Sequence, residues 1–379
     1  MRTLLRLVAV LLSSAAPLVA QATPSAPALD FSGVLFGNFQ WRTDAAAKAA
    51  TGGQPLSRFD VGRAYLNFRM AAGNRGSIRV TTDIFQQSPS TYYSGWAVRL
   101  KYGYFQYDLT KSLFGVQGMP AVARVGMLHT VIVDHVEVFW PRFLGPTAIE
   151  QYFGFSSSDV GLSTLVTMPR RRGEIYITAV NGSNYSSAET DRFKDFAARA
   201  TFTPFANDSG FIRTLAITPW YSLGWSASAF TAPPNSISDG LQKDRRGVFV
   251  GLRDRRLTGG VEFSQRAEQI ETAAPPARTV VGRTGNLLSG FAFLRPLEIA
   301  NRARHSPWGL LARFDSFDAD NSLPANAANP QLTFIVLGTF WDLNNRVTLA
   351  LDYQEQKSDV GAVSTFPTKT LFLHWQASF

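Results

Sequence analysis

Sixteen stretches of about ten to twenty residues, most of them alternating apolar and polar side chains, run from residue 29 to the end of this 379-residue chain. Alternation with a period of two belongs to a strand that has one apolar and one polar face. The pattern predicts strands at 29–42, 57–70, 77–87, 94–109, 121–131, 158–169, 173–182, 194–203, 211–230, 245–254, 257–270, 283–295, 307–317, 332–343, 346–357 and 368–379. The stretch "TKTLFLHWQASF" is typical. Leu371, Leu373, Trp375, Ala377 and Phe379 share one face, and Thr370, Phe372, His374, Gln376 and Ser378 share the other.

The links between strands alternate in length. Long ones at 43–56, 88–93, 132–157, 183–193, 231–244, 271–282, 318–331 and 358–367 carry Gly, Pro, Ala, Ser and Asn. Most of the intervening links are brief, such as "AAGNRG", "RR" and "NN", although 110–120 and 296–306 are less so. A soluble sandwich has no reason to gather its long loops at one end. An even number of strands with short turns at one rim and long loops at the other is the pattern of an outer-membrane barrel.

The facing of the side chains agrees. In "RVTLALDYQ", Val347, Leu349, Leu351 and Tyr353 oppose Arg346, Thr348, Ala350, Asp352 and Gln354. In "WAVRLKYGYF", Trp96, Val98, Leu100, Tyr102 and Tyr104 are expected on one face, with Arg99 and Lys101 on the other. Lipid cannot hydrogen-bond a backbone, so a sheet within it must close on itself. The expected fold is therefore all-β: a sixteen-stranded antiparallel transmembrane β-barrel with short periplasmic turns and long external loops. Trp41, Trp96, Trp308, Trp341 and Tyr353 are expected in interfacial girdles. The strands at 283–295 and 332–343 are apolar on both faces and leave their orientation open.

Residues 1–22 read as a secretory signal: Arg2 and Arg6, an apolar run from Leu4 to Ala16, and the small-x-small site Ala20-Gln21-Ala22. The mature barrel is then 23–379, in a Gram-negative-type outer membrane. No later segment holds the ~18 consecutive apolar residues of a spanning helix. There is no cysteine, which excludes a disulfide framework and cysteine-based zinc sites. Charged residues are only 17% of the chain, against ~25% in ordinary soluble domains. Without the signal, 35 basic residues face 28 acidic ones. For an exported chain, that excess points to small anionic solutes and outer-membrane lipid rather than nucleic acid.

Several segments, in order, resemble the phosphate-selective porin O and P family. "RFDVGRAYLNFRM" is similar to its second strand at Phe59, Arg63, Ala64, Leu66 and Phe68, and "IRVTTDIF" to its third at Asp83. "RVGMLHT" keeps Gly126 and Thr130. "SDVGL" (Asp159, Gly161), "YITAVNGSN" (Asn181, Gly182) and "DFAARATFTP" (Arg199, Pro204) follow. "GLLARFD" and "LGTFWDLNNRVTLALDY" resemble the closing strands. The resemblance implies a sixteen-stranded barrel, a homotrimer, and a long third loop, here 132–157, folded inward as a constriction. The terminal Phe379 resembles the sorting signal read by the barrel-assembly machinery. The chain departs from the family where His129 and Val131 replace a Lys and a Pro. The loop holds Asp134, Glu137 and Glu150 against one Arg142 and has no lysine, so a phosphate site is not carried over onto it.

No constellation points to catalysis. His129, His135, His305 and His374 show no metal-ligand spacing, and neither metal nor cofactor is expected. "DADN" (Asp318–Asn321) reads as a solvated loop, and "PRRRGE" (Pro169–Glu174) as a soluble or lipid-facing periplasmic turn. Along the expected lumen faces lie Arg63, Arg69, Arg79, Arg99, Lys101, Arg199, Arg253, Arg255, Arg266, Arg313 and Arg346, against Asp83, Asp195, Glu262, Glu268, Asp315 and Asp352. Arg63, Arg69, Arg79, Arg99 and Lys101 are expected to form one basic sector facing an acidic loop. The function this implies is a water-filled channel for passive uptake of small solutes with a weak anion preference. A non-selective pore, or a structural or surface-binding barrel without channel activity, is the alternative.

Overall fold

The computed structural model describes residues 28–87, 95–110, 119–227, 240–271, 279–324, 329–359 and 369–379. The expected signal segment 1–22, the long link 88–93, most of the long links 231–244, 271–282 and 358–367, most of 110–120, and residues 325–328 lie outside the described residues. The strands are β1 (Leu29–Arg42), β2 (Leu56–Ala72), β3 (Gly76–Gln87), β4 (Gly95–Asp108), β5 (Ala121–His129), β6 (Ser158–Thr167), β7 (Gly173–Val180) and β8 (Asp195–Phe202). Next come β9 (Ala216–Leu223, continued after Gly224 by Trp225–Ser226), β10 (Leu241–Arg253), β11 (Leu257–Glu271) and β12 (Val280–Leu294). Last are β13 (Trp308–Asp318), β14 (Leu332–Asp342), β15 (Val347–Ser358) and β16 (Lys369–Ser378). Four helices of one to two turns lie in the links: α1 (Ala45–Ala50), α2 (Val133–Glu137), α3 (Ala148–Phe153) and α4 (Pro296–Ala300).

Each strand pairs antiparallel with its sequence neighbours, and β1 pairs with β16 from Val34↔Ser378 to Arg42↔Thr370. The sheet is thereby a closed sixteen-stranded barrel. Gly33 and Phe379 extend the closing ladder by exchanging two backbone hydrogen bonds of 3.0 Å each. A Cβ on Gly33 would sit 2.3 Å from the Phe379 ring, and one on Gly37 would sit 2.3 Å from the Trp375 indole. Two glycines on β1 thus leave room for two aromatic rings of β16 at the seam.

No helix among the described residues is long and apolar enough to cross a membrane. The outward face carries the apolar set, including Val98, Leu162, Val261, Phe263, Leu337 and Leu351, all substantially exposed. Trp41, Trp96 and Trp341 point outward near strand ends, and Trp308 is the cross-strand partner of Trp341.

Three expectations are corrected. Residues 211–214 form a 3-10 turn rather than the start of β9. "FIRT" alternates like a strand, but Leu215 N–H bonds to the Ile212 carbonyl at 2.9 Å, and the Thr214 hydroxyl caps the Arg253 carbonyl at 2.7 Å. Tyr102 and Tyr104 face inward, at 4% and 9% exposure, not outward. The β3–β4 register slips at Thr81/Thr82, where Thr81 opposes Tyr102 and Thr82 opposes Leu100. Lys101 is the extra residue of this bulge, and every side chain after it changes face. Finally, Arg255 and Arg346 lie in short turns, not on the wall. Arg255 pairs with Glu298 of α4 at 2.6 Å, and Arg346 is exposed in the 343–346 turn.

The barrel interior is not empty. Residues 131–153 place Val131, Ile132, Val133, Val136, Trp140, Leu144, Ile149 and Phe153 almost wholly out of solvent. They form one cluster with the inward-facing Phe249, Leu287, Leu311, Val336 and Phe340. This contact explains the two strands whose orientation the sequence left open. On β12, Leu288 points outward while Leu287, Phe291 and Phe293 face the inserted segment. On β14, Leu337 and Trp341 point outward while Phe334, Val336 and Phe340 face it.

Candidate pore-lining site

The inserted segment is fixed at its root, middle and far end. At the root, Thr130 N–H bonds to the Ser157 carbonyl at 3.1 Å. In the middle, the buried Trp140 meets Phe291 edge-on and lies tilted against Phe293, and its indole N–H bonds to the Gly145 carbonyl at 3.1 Å. The Arg313 guanidinium lies 4.7 Å from the Trp140 ring and donates to the Pro146 carbonyl at 2.8 Å, while Asp315 holds it from behind at 2.7 Å. At the far end, Thr147 and Glu150 make a reciprocal capping box for α3. Gly154 then ends the helix in the left-handed conformation, at φ 66°. Arg245 and Arg266 donate to the Phe153 and Tyr152 carbonyls at 3.2 and 3.4 Å.

The acids of this segment are all engaged. Arg142 donates to Glu137 at 2.9 Å and to both oxygens of Glu150. Burial opposes the Arg142 charge, but the carboxylates of Glu150 and Glu137 more than offset it and hold its pKa above the ordinary arginine value. Asp134 accepts from the Tyr102 hydroxyl at 2.7 Å, and its other oxygen lies against His129 Nδ1. The His129 Nε2 faces Arg79 Nη1 at 3.1 Å. His135 on α2 meets the Thr218 hydroxyl at 2.9 Å. Burial first, then Arg199, lowers its pKa to about 3.

The wall of β2–β5 carries Arg63, Arg69, Arg79, Arg99, Lys101 and Arg124, with Asp83 among them. Asp83 is fully buried and takes two arginines, Arg63 at 2.5 Å and Arg99 at 2.9 Å. The Tyr185 hydroxyl, from the link between β7 and β8, accepts from Arg63 at 3.1 Å and from Arg99 at 2.9 Å, and donates to Asp83 at 3.3 Å. Arg99 is also sandwiched between the rings of Phe85 (4.0 Å) and Tyr185 (4.4 Å). Arg79 donates to Asn67 and Thr81 at 3.1 Å each and lies 4.5 Å from the Tyr102 ring. Lys101, 3% exposed, lies 4.2 Å from the Tyr65 ring. Arg124 donates to Gln106 at 2.9 Å. Arg69 is exposed, opposite Arg79 on the ladder. Among the described residues, Arg69, Arg79, Lys101 and Arg124 are not within ion-pairing distance of any carboxylate.

The remaining expected wall residues separate. Arg199 pairs with Glu174 at 2.5 Å. Arg313 and Asp315 lie behind the inserted segment. His374 lies against Asp352 at 3.4 Å and faces Phe143. The "DADN" carboxylates are spent on their own turn, Asp318 on Asp320 N–H and Asp320 on Ser322 N–H, at 3.1 Å each.

Sequence reasoning missed five participants. Arg124 carried a readable signal, because it interleaves with Ala123 and Val125 in β5. Lys243 lies in the part of β10 that begins before the expected start at 245, and Arg245 and Arg283 are the first residues of their expected strands, where β10 and β12 in fact begin four and three residues earlier. There Lys243 pairs with Asp195 at 3.0 Å, and Glu268 takes Arg245 (3.4 Å), Arg266 (3.6 Å) and Arg283. Tyr185 had no local signal at all.

No protein-family model and no curated protein sequence matches the chain. Solved structures do. OmpT in its trimer form, an outer membrane protein of Vibrio cholerae, is 10% identical with a TM-score of 0.59, over 93% of this chain and 100% of its own. The anion-selective porin of Comamonas acidovorans is 11% identical with a TM-score of 0.57, over 93% and 100%. The outer membrane channel DcaP of Acinetobacter baumannii is 11% identical with a TM-score of 0.59, over 94% and 99%. At such identities the likeness is one of fold, and the fold is that of outer-membrane porins.

Proposed function

We propose that the chain is an outer-membrane porin, exported by removal of residues 1–22, that forms a water-filled channel for passive uptake of small solutes. Segment 132–157 acts as its constriction loop, and the channel weakly prefers anions bearing phosphate or carboxylate. The observation that carries this reading is the imbalance of charge. Arg69, Arg79, Lys101 and Arg124 have no carboxylate partner among the described residues, whereas Glu137 and Glu150 share Arg142 and Asp134 is held by Tyr102 and His129. Sixteen strands enclose more than their own side chains fill, and low-dielectric walls focus the field of unpaired charges on a narrow path.

Similarity to the trimeric OmpT and to an anion-selective porin supports a homotrimer and the anion preference. The ordered sequence motifs support kinship with the phosphate-selective porin O and P family. Assembly would then involve the barrel-assembly machinery and outer-membrane lipid. The test is a planar-bilayer reversal potential in asymmetric KCl. Stepwise conductance with anion preference is expected, and it should weaken when Arg79, Lys101 and Arg124 are replaced by Gln. Cation preference in the unaltered protein refutes the selectivity, and absence of stepwise conductance refutes the channel.

A further inference from the structure

The turn "PRRRGE", read from sequence as a soluble or lipid-facing turn, has an uncommon backbone. Arg170 and Arg171 both sit at φ 57°, in the left-handed region that residues with a Cβ avoid. Three hydrogen bonds hold the turn there. Met168 N–H bonds to the Gly173 carbonyl and Thr203 N–H to the Arg172 carbonyl, at 2.8 Å each, and the Thr203 hydroxyl bonds to the Arg171 carbonyl at 2.5 Å. Strained backbone of this kind concentrates where a side chain must be aimed. Here Arg171 lines a cavity of about 600 Å³ between α2 and the inward faces of β6–β10 at the short-turn end. Arg213 and Arg253 line the same cavity.

None of the three arginines has a carboxylate partner among the described residues. The acids nearby are occupied. Glu174 holds Arg199 at 2.5 Å, and Asp254 accepts from Arg256 Nε at 2.8 Å. The Asp254 carboxyl is lowered below its usual range by that bond to Arg256, with Arg213 a lesser contributor. His135, on the cavity wall, is neutral at ordinary pH. The opposite side is apolar. Phe139 lines it, and so does Val138, half of whose surface is open (49%) although it belongs to an otherwise buried segment. The volume is within the range of small-molecule sites, and guanidinium forks suit carboxylate and phosphate oxygens.

We infer that this cavity is a binding site for an amphipathic organic anion, a carboxylate or phosphate monoester on a compact apolar body, held by Arg171, Arg213 and Arg253 against Val138 and Phe139. The inference rests on the porin reading for how the solute arrives, but binding itself needs no conductance. Isothermal titration of the detergent-folded full chain with phenyl phosphate tests it, with inorganic phosphate as the second probe. Saturable binding of phenyl phosphate is expected, roughly tenfold tighter than inorganic phosphate. Replacing Arg171, Arg213 and Arg253 together by Gln should weaken both probes by roughly tenfold or more. Val138→Ser should weaken phenyl phosphate alone. Arg170→Gln with Arg172→Gln, in the same turn but off the cavity, should change neither. The single Arg213→Gln variant, at an exposed turn position, should give a smaller loss of the same sign if the triple variant fails to fold. Equal affinity for the two probes, undiminished binding by the arginine variants, or no binding by the unaltered chain overturns the site. A chain that conducts in plain KCl but does not bind phenyl phosphate overturns this inference alone. One that binds it without conducting overturns the channel alone.

Discussion

Replacing Arg142 by Gln should move the ion selectivity toward cations. Arg142, Glu137 and Glu150 together carry a net charge of −1, and the substitution makes it −2. The guanidinium is largely enclosed, with 17% of its side chain exposed. A unit charge acting on an ion ~5 Å away in a water-filled path is worth about 0.8 kcal/mol. It favours a cation and disfavours an anion by the same amount, so each permeability changes roughly fourfold and the cation-to-anion ratio by about fifteenfold at low salt. The structural cost should stay local. Glu150 loses its ion pair but keeps its bonds to Thr147 N–H and hydroxyl at 3.0 Å each, and Glu137 is left without the Arg142 partner, for about 1–3 kcal/mol. The buried apolar cluster around Trp140 does not depend on Arg142. The assay is the reversal potential across a tenfold KCl gradient, repeated near 1 M salt, where a Debye length of ~3 Å should erase most of the effect. Arg142→Lys should behave nearly as the unaltered protein. An unchanged ratio at low salt, with the segment still protected from protease, would place Arg142 off the conduction path and refute the argument.

Trp140→Ala removes the largest fully buried side chain of the inserted segment and should loosen it by about 3–5 kcal/mol, seen as new protease cleavage within 131–153 while the barrel stays heat-modifiable on gels. Gly33→Val should slow or block barrel closure, since its Cβ would meet the Phe379 ring at 2.3 Å, and adding Phe379→Ala should relieve part of the defect; equal assembly of Gly33→Val and the unaltered chain counts against the seam. His135 has a folded-state pKa near 3, below its unfolded value of ~6.5. The unfolded chain therefore binds the extra proton in that window. The contribution of His135 is fully present above pH 6.5 and is lost as pH falls toward 3, by at most about 1.4 kcal/mol per pH unit. His135→Gln should flatten that part of a denaturation-versus-pH curve, and an unaltered slope would contradict the burial argument.

The barrel was legible because its information is local. Alternation marks a strand whichever neighbour it finds, and loop length marks the rim it belongs to. The strand ends that were misjudged, at β9 and β10, are places where alternation continues into a turn or where charged residues continue a strand. The inserted segment was legible by its length and position, not by its chemistry. Its sequence "VIVDHVEVFW" is apolar because it packs against Phe249, Leu287 and Val336. The same contact hides the facing of β12 and β14, since an inward face that meets protein rather than water has no reason to be polar. The bulge at Lys101 was invisible for another reason. A one-residue slip is a property of two strands in register, and only the pairing of Thr81 with Tyr102 reveals it.

Counting charges misled where geometry decides. Three acids and one arginine in the segment read as an acidic surface, yet one guanidinium fork engages Glu137 and Glu150 together, and the third acid is drawn back to His129 and Tyr102. Five basic residues on β2–β4 read as one basic sector, yet Asp83 neutralises part of Arg63 and Arg99 at once, and Tyr185 reaches from another loop to fix both. The charge left uncompensated therefore moves away from Arg99 toward Arg79, Lys101 and Arg124. Two of these lie on inward faces next to aromatic rings, and the third is the extra residue of a bulge. A cation held over a ring rather than on a carboxylate keeps its charge available to a passing ion. On this wall, the partners that the basic residues lack matter more to selectivity than the number of basic residues.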